Sequence, residues 1–187
     1  MSPITHFLAG WTLANMAKLN PRDRMLVSVA GVIPDVDGFG IVVDFATRHS
    51  TDWWGRFHHE LGHNIGFCLL VTAVFAMLAQ RKAMTAWLVF LSFHLHLLGD
   101  LVGARGPDGD QWPIPYLEPF SAVPRMVWSG QWPLNGWPNM LITGIMIALA
   151  VHWARQRGFS PLEMFSKKAD GIFVETLRRR FPVAQAN

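Results

Sequence analysis

The chain carries one cysteine, Cys68, among its 187 residues, so an internal disulfide is impossible and no thiolate cluster can hold a metal. Cys68 lies in the apolar run Phe67–Val71 and reads as a small buried hydrophobe. Charge is also scarce: 16% of residues are charged, against roughly 25% in an ordinary soluble domain. Repeats and low-complexity tracts are lacking, which excludes a solenoid or a disordered tail as the organising feature. The N-terminus has no basic n-region and no small-residue cleavage site, so Ile4–Ala17 is expected to be part of the mature fold. Basic residues do not alternate with aromatics along a stretch that would form a groove, and no nucleic-acid partner is expected.

What is present leans toward the bilayer. Hydrophobic residues make up 51% of the chain, with nine Trp, and the mean hydropathy is +0.22. Three stretches free of formal charge, Asn64–Gln80, Ala83–Gly99 and Pro138–Ala154, are each 17 residues long. As helices they would cover roughly 25 Å, at the short limit for a bilayer core of about 30 Å. Ile4–Leu19 and Arg24–Ile33 are shorter and read as a helical hairpin turned at Asn20-Pro21, with Pro34 ending the second member. Gly38–Gly55 and the long Gly103–Gly136 stretch read as loops, the latter carrying Trp112, Trp128 and Trp132. Beyond Arg155, Ser160-Pro161 is a helix-start signal. Leu162, Phe165, Ala169, Phe173, Leu177 and Phe181 then recur at helical spacing beside Lys167, Lys168 and Arg178–Arg180. That pattern suits either an amphipathic helix on an anionic surface or a helix docked on the domain.

His and Asp residues recur at the same end of successive apolar segments. His6 opens the first, Asp35 and Asp37 close the second, His58, His59 and His63 open the third, and His94, His96 and Asp100 close the fourth. Lys18, Arg22, Arg24, Arg81 and Lys82 sit in the intervening turns. Antiparallel helices would collect the first group in one layer and the second in the other, so an acidic layer able to hold cations faces a basic layer that the positive-inside rule places in the cytoplasm.

His96 and Asp100 are four apart and share a helix face, so imidazole and carboxylate can grip one cation. His94 is roughly 200° around the helix from that face and should point elsewhere. Asp35 and Asp37, two apart in the turn after an apolar helix, can serve one ion or two, and His59 and His63 repeat the four-residue spacing. His49 and His152 fall outside the pattern. Burying such groups without partners would cost several kcal/mol, and a divalent metal offsets that cost. A carboxylate-rich His site suits Zn²⁺, Mn²⁺ or Fe²⁺, whose usual work is to activate water and polarise a phosphoryl or carbonyl oxygen.

His6, the Pro34-Asp35-Val36-Asp37 turn, the His58/His63 frame, His96-Leu-Leu-Gly-Asp100 and the Trp112–Ser121 stretch together resemble the membrane-bound metal-dependent hydrolases of the YdjM-like family. That family is usually compared with the all-helical zinc-dependent phospholipases C. The resemblance spans roughly residues 1–125. It departs where His58–Asn64 reads HHELGHN instead of H-R-G-x-T-H-S, and where Gly38 replaces the His of PDxDH. It implies His6, Asp35, Asp37, His58, His63, His96 and Asp100 as metal ligands; His59, Glu60 and Asp110 are additional local candidates, with Glu60 or Asp37 expected as the general base.

The expectation is an all-α, membrane-embedded helical bundle over 1–157 with a metal site at one end, followed by a basic amphipathic segment over 158–187. Its function would be hydrolysis of a small phosphoester or lipid-like substrate in the inner membrane. A non-catalytic metal- or haem-binding membrane protein and a structural membrane protein fit the same residues.

Overall fold

The computed structural model describes residues 1–183; the last four residues of the expected C-terminal segment lie outside them. Among the described residues there are eight α-helices and no strands. They are α1 (Pro3–Ala14), α2 (Pro21–Ala30), α3 (Gly40–Ala46), α4 (Trp53–Phe57), α5 (Ile65–Leu78), α6 (Lys82–Gly103), α7 (Trp137–Arg157) and α8 (Lys167–Arg180). Short 3₁₀ turns cover Ile33–Phe39 and Pro161–Met164.

The helix starts follow capping chemistry. Ser2 and Asn20 accept from the Thr5 and Asp23 backbone N–H groups, each followed by a proline at the first turn. Asn64 accepts from Phe67 N–H at 2.8 Å and sets the start of α5. The α5–α6 turn is tied to α2 instead, because buried Asp23 accepts from both Gln80 and Arg81 N–H at 2.9 Å. Left-handed Gly158 (φ +83°) ends α7.

Helix α6 is the axis of the bundle. Its buried residues Thr85, Leu88, Val89, Ser92, Phe93, His96, Leu97, Asp100 and Gly103 recur at three- and four-residue intervals, forming one stripe against α1, α2 and α5. The core beneath it joins Ala14, Leu19, Val27, Ala30, Cys68, Val71, Val89 and Phe93, and a second cluster packs Trp11 and Leu8 of α1 on Ala150 of α7. Trp87, Leu95 and Leu98 of α6 and Met140, Leu141, Ile145 and Ile147 of α7 face outward. An exposed apolar surface of that extent belongs in lipid.

α6 has 22 residues and α7 has 21, long and apolar enough to cross a membrane. α5 departs from the expected third span of this kind: it has 14 residues, because Asn64 caps it late and Ala79 turns to extended backbone. At about 1.5 Å per residue it covers roughly 21 Å. A third apolar passage is instead offered by α2 and the Ile33–Ala46 segment, bent by 53° at Gly31–Val32. The close approach there needs glycine, since a Cβ on Gly31 would stand 2.7 Å from the His6 carbonyl oxygen.

Three further differences have local causes. Gly38–Gly55 is not a plain loop but holds α3 and α4, because buried Asp44 accepts from Thr51 Oγ1 and from Trp53 and Trp54 N–H and so organises the turn between them. His58–His63 precedes α5 as a turn rather than opening it, with His59 in the left-handed region (φ +65°). Ser160 caps only a 3₁₀ turn, and Ser166 starts the helix proper. α8 is docked through Asp170, which accepts from Ser160 N–H and Oγ–H, and through Val174, while Phe165, Ile172, Phe173 and Phe181 remain exposed.

Candidate metal centre

Three segments deliver the centre. Asp35 comes from the 3₁₀ turn after α2, His63 from the turn before α5, and His96 and Asp100 from the last turns of α6. One ligand-type atom from each lies within 4.8 Å of all the others. His96 Nε2 is 3.0 Å from Asp100 Oδ2 and 3.6 Å from Asp35 Oδ1, and His63 Nε2 is 3.4 Å and 3.9 Å from the same two oxygens. The side chains of His63, His96 and Asp100 are buried, while that of Asp35 is 20% exposed, leaving the group open on one side.

The outer nitrogens of both rings are committed. His96 Nδ1–H donates to the Gly31 carbonyl at 2.9 Å, and His63 Nδ1–H donates to Asp37 Oδ2 at 3.1 Å. That fixes the tautomer in which each Nε2 presents its lone pair inward, as metal-binding imidazoles require. The two Nε2 atoms approach to 3.1 Å, beside two carboxylates, and Asp35 Oδ2 is buried with no hydrogen-bond partner. Lone pairs and anions so converged repel unless a cation or proton lies among them. The donor set therefore fits a divalent metal of the N/O-binding kind. Without metal, a proton on His63 takes that part. Burial alone would depress this imidazole, but hydrogen bonds and charge from Asp100 and Asp37 outweigh burial and lift its pKa to about 9.

The other expected site residues surround this quartet. His6 Nε2–H donates to Asp100 Oδ1 at 3.1 Å and its ring lies 3.9 Å from that of His96, so it meets the centre through Asp100. The Met1 amino group contacts the same oxygen. The Asp37 carboxylate accepts from His58 Nδ1–H (3.2 Å), Gly62 N–H (3.0 Å) and His63 Nδ1–H, one bond removed from the quartet. His58 thus reaches the centre through Asp37, and its ring stacks on Trp54. His59 stacks on His63 at 4.1 Å; burial first, then the adjacent His63, hold it neutral. Glu60 points away and is gripped by Arg125, whose Nη2–H donates at 2.8 Å. Asp110 accepts through its backbone carbonyl from Gly106 N–H. His94 faces away from the quartet, as its angle on α6 requires, with Nδ1 2.8 Å from the Phe90 carbonyl and Nε2 2.9 Å from the Tyr116 hydroxyl.

Some contributors carried no sequence signal as ligands. The Gly31 carbonyl and the Gly62 amide are backbone groups, and Gly62 is pressed so closely on Pro34 that a Cβ would stand 2.1 Å from its carbonyl oxygen. The long loop is clamped over α5 and α6: Ile65 N–H donates to the Tyr116 carbonyl and Gln131 Nε2–H to the Asp100 carbonyl. Asn139 of α7 donates to the Gly103 and Leu134 carbonyls, fastening the far side. The nearest sequence cue is Pro34, which ends α2 just after Gly31 and so leaves carbonyls there without helical partners.

No curated protein and no solved structure matches the chain. A family model does, that of YdjM inner membrane protein, over residues 1–166, a span that includes all four quartet residues. The chain belongs to the YdjM inner membrane protein family.

Proposed function

We infer that this chain is a metal-dependent hydrolase of the inner membrane, acting on a phosphoester or lipid-like substrate. The observation that carries this reading is the convergence of four ligand-type atoms with one partly exposed member, Asp35. Burial on the side of His63, His96 and Asp100 and access beside Asp35 leave room for the open coordination position that a catalytic rather than a purely structural metal site keeps. His63, His96, Asp100 and Asp35 would hold the ion, and Zn²⁺ suits the set best, with Mn²⁺ and Fe²⁺ also compatible. The metal supplies Lewis acidity and a water of lowered pKa. Asp37 and the Gly31 carbonyl orient the two imidazoles, and His6 orients Asp100. Of the two general-base candidates, Asp37 is bonded to a quartet residue, whereas Glu60 is engaged by Arg125.

The bundle would cross the bilayer more than once, with Lys18, Arg24, Arg81 and the C-terminal basic residues at the cytoplasmic end and the metal site at the other. The substrate would enter past Asp35. The test is turnover of a chromogenic phosphodiester by detergent-purified protein, before and after chelation and zinc add-back, beside a folded Asp35→Asn variant. Turnover that falls on chelation, returns with zinc and is lost in the variant is the expected result. Turnover indifferent to all three changes, or none in zinc-loaded protein across phosphoester and acyl-ester substrates, would refute hydrolysis.

A further inference from the structure

The opposite end of the bundle holds a feature the metal chemistry does not use. A cleft of about 430 Å³ opens between the end of α1, the turn before α2 and the end of α7, lined by Asn15, Met16, Lys18, Arg24, Arg157 and Phe159 among others. That volume is within the roughly 300–1,000 Å³ of small-ligand sites. Three cations face it, and one is neutralised: Arg24 makes a two-pronged pair with Glu163 (2.7 and 2.6 Å) and lies over Phe159. Arg157 is braced at the rim, donating to Asn15 Oδ1 at 3.0 Å and lying over Trp153. Among the described residues no carboxylate pairs with Arg157 or Lys18. The cleft thus keeps two unbalanced positive charges.

Its wall is amphipathic. Met16, 76% exposed, stands beside Lys18, and Phe159 lines the other side. The cleft also lies at the end of α7, a helix whose outward face carries Met140, Leu141, Ile145, Ile147 and Val151, as a lipid-facing helix would. α8 is fastened to the same end by Arg178, which donates to the Arg155 and Gln156 carbonyls, and there it exposes Ile172 and Phe173 among Lys168, Arg179 and Arg180. Uncompensated cations at a helix end, an apolar rim and a lipid-facing helix below them fit one kind of ligand, an anion that carries its own hydrocarbon.

We propose that this cleft binds the phosphate headgroup of an anionic bilayer phospholipid, with Lys18 and Arg157 as the recognising cations. The site is distinct from the metal centre and does not depend on its chemistry. It fixes the depth of α1, α2 and α7 at the basic interface.

The test is native mass spectrometry of the full chain released from nanodiscs of phosphatidylglycerol and phosphatidylcholine in equal amounts. Wild type should retain phosphatidylglycerol preferentially. Lys18→Gln and Arg157→Gln should each lower that retention about fivefold, the effect of one cation near an anionic surface. Arg48→Gln, at the other end, should leave it unchanged. Arg157→Gln also removes the brace on Asn15; should it fail to fold, Lys18→Gln decides alone, because the Lys18 side chain is exposed and makes no hydrogen bond. Equal retention of the two lipids, undiminished retention in Lys18→Gln, an equal loss in Arg48→Gln, or binding of inorganic phosphate without lipid retention would each overturn the proposal.

Discussion

Replacing Asp37 tests how the centre is held. Its carboxylate is buried and accepts three hydrogen bonds, from His58 Nδ1–H on one oxygen and from Gly62 N–H and His63 Nδ1–H on the other. Asparagine can keep the second pair by placing its carbonyl there and turning its NH₂ to His58, whose other tautomer accepts. What it loses is the negative charge that makes His63 a better donor to a cation. Alanine loses everything: His63 can rotate or change tautomer, and Gly62 N–H is left buried without an acceptor. Loss of such an orienting partner typically weakens metal binding about 10- to 100-fold, so Asp37→Asn should lie near the lower figure and Asp37→Ala near the upper. The unpaired buried Gly62 N–H should also cost the alanine variant about 1–3 kcal/mol in stability. Competition with a chromophoric zinc chelator measures the affinities, and thermal denaturation the fold. Wild-type affinity in a folded Asp37→Ala protein would refute the positioning role. A stoichiometry lowered by one whole ion in Asp37→Asn would instead make Asp37 a direct ligand of a further ion.

Other outcomes follow from the same geometry. In metal-free protein the raised His63 pKa stabilises the fold fully below its ordinary value of 6.5, and this contribution is lost as pH rises through about 9; denaturation of the apoprotein from pH 6 to 10 should show the decline. Zinc affinity should climb over that window, since the proton and the metal compete for His63. Gly62→Ala drives a methyl into the Pro34 carbonyl oxygen, so it should lower the melting temperature and release metal together, at an overpacking cost of about 1–3 kcal/mol. Asp23→Ala removes the acceptor of the Gln80 and Arg81 amides at the far end; it should cost about 1–3 kcal/mol in stability while leaving metal stoichiometry intact.

The His/Asp layer that contains the quartet was legible in the sequence because its signal is one of phase. His96 and Asp100 sit four apart, on one face of an apolar helix, and Asp35 follows the proline that must end α2. Roles within the layer were not legible. Asp35 and Asp37 look equivalent as a pair two apart, yet the turn aims one at the Nε2 atoms of His63 and His96 and the other at His63 Nδ1 and Gly62 N–H. Glu60 is adjacent to His59 in sequence, but the left-handed backbone at His59 turns the chain and leaves Glu60 facing Arg125, 65 residues on. Span length misleads for a simpler reason: a charge-free run includes capping and turn residues, and in α5 Asn64, Ala79 and Gln80 consume its ends. The α3–α4 pair escaped because Asp44, which organises it, acts through tertiary hydrogen bonds with no periodic trace.

His63, His96, Asp100 and Asp35 would together hold one metal ion. Elemental mass spectrometry of detergent-purified wild type beside a folded His96→Ala/Asp100→Ala variant tests it most directly. At least one equivalent of zinc, manganese or iron in the wild type, lost in the variant, is the predicted result. A wild type that stays metal-free after reconstitution, or a double variant that keeps its full metal content, would contradict it.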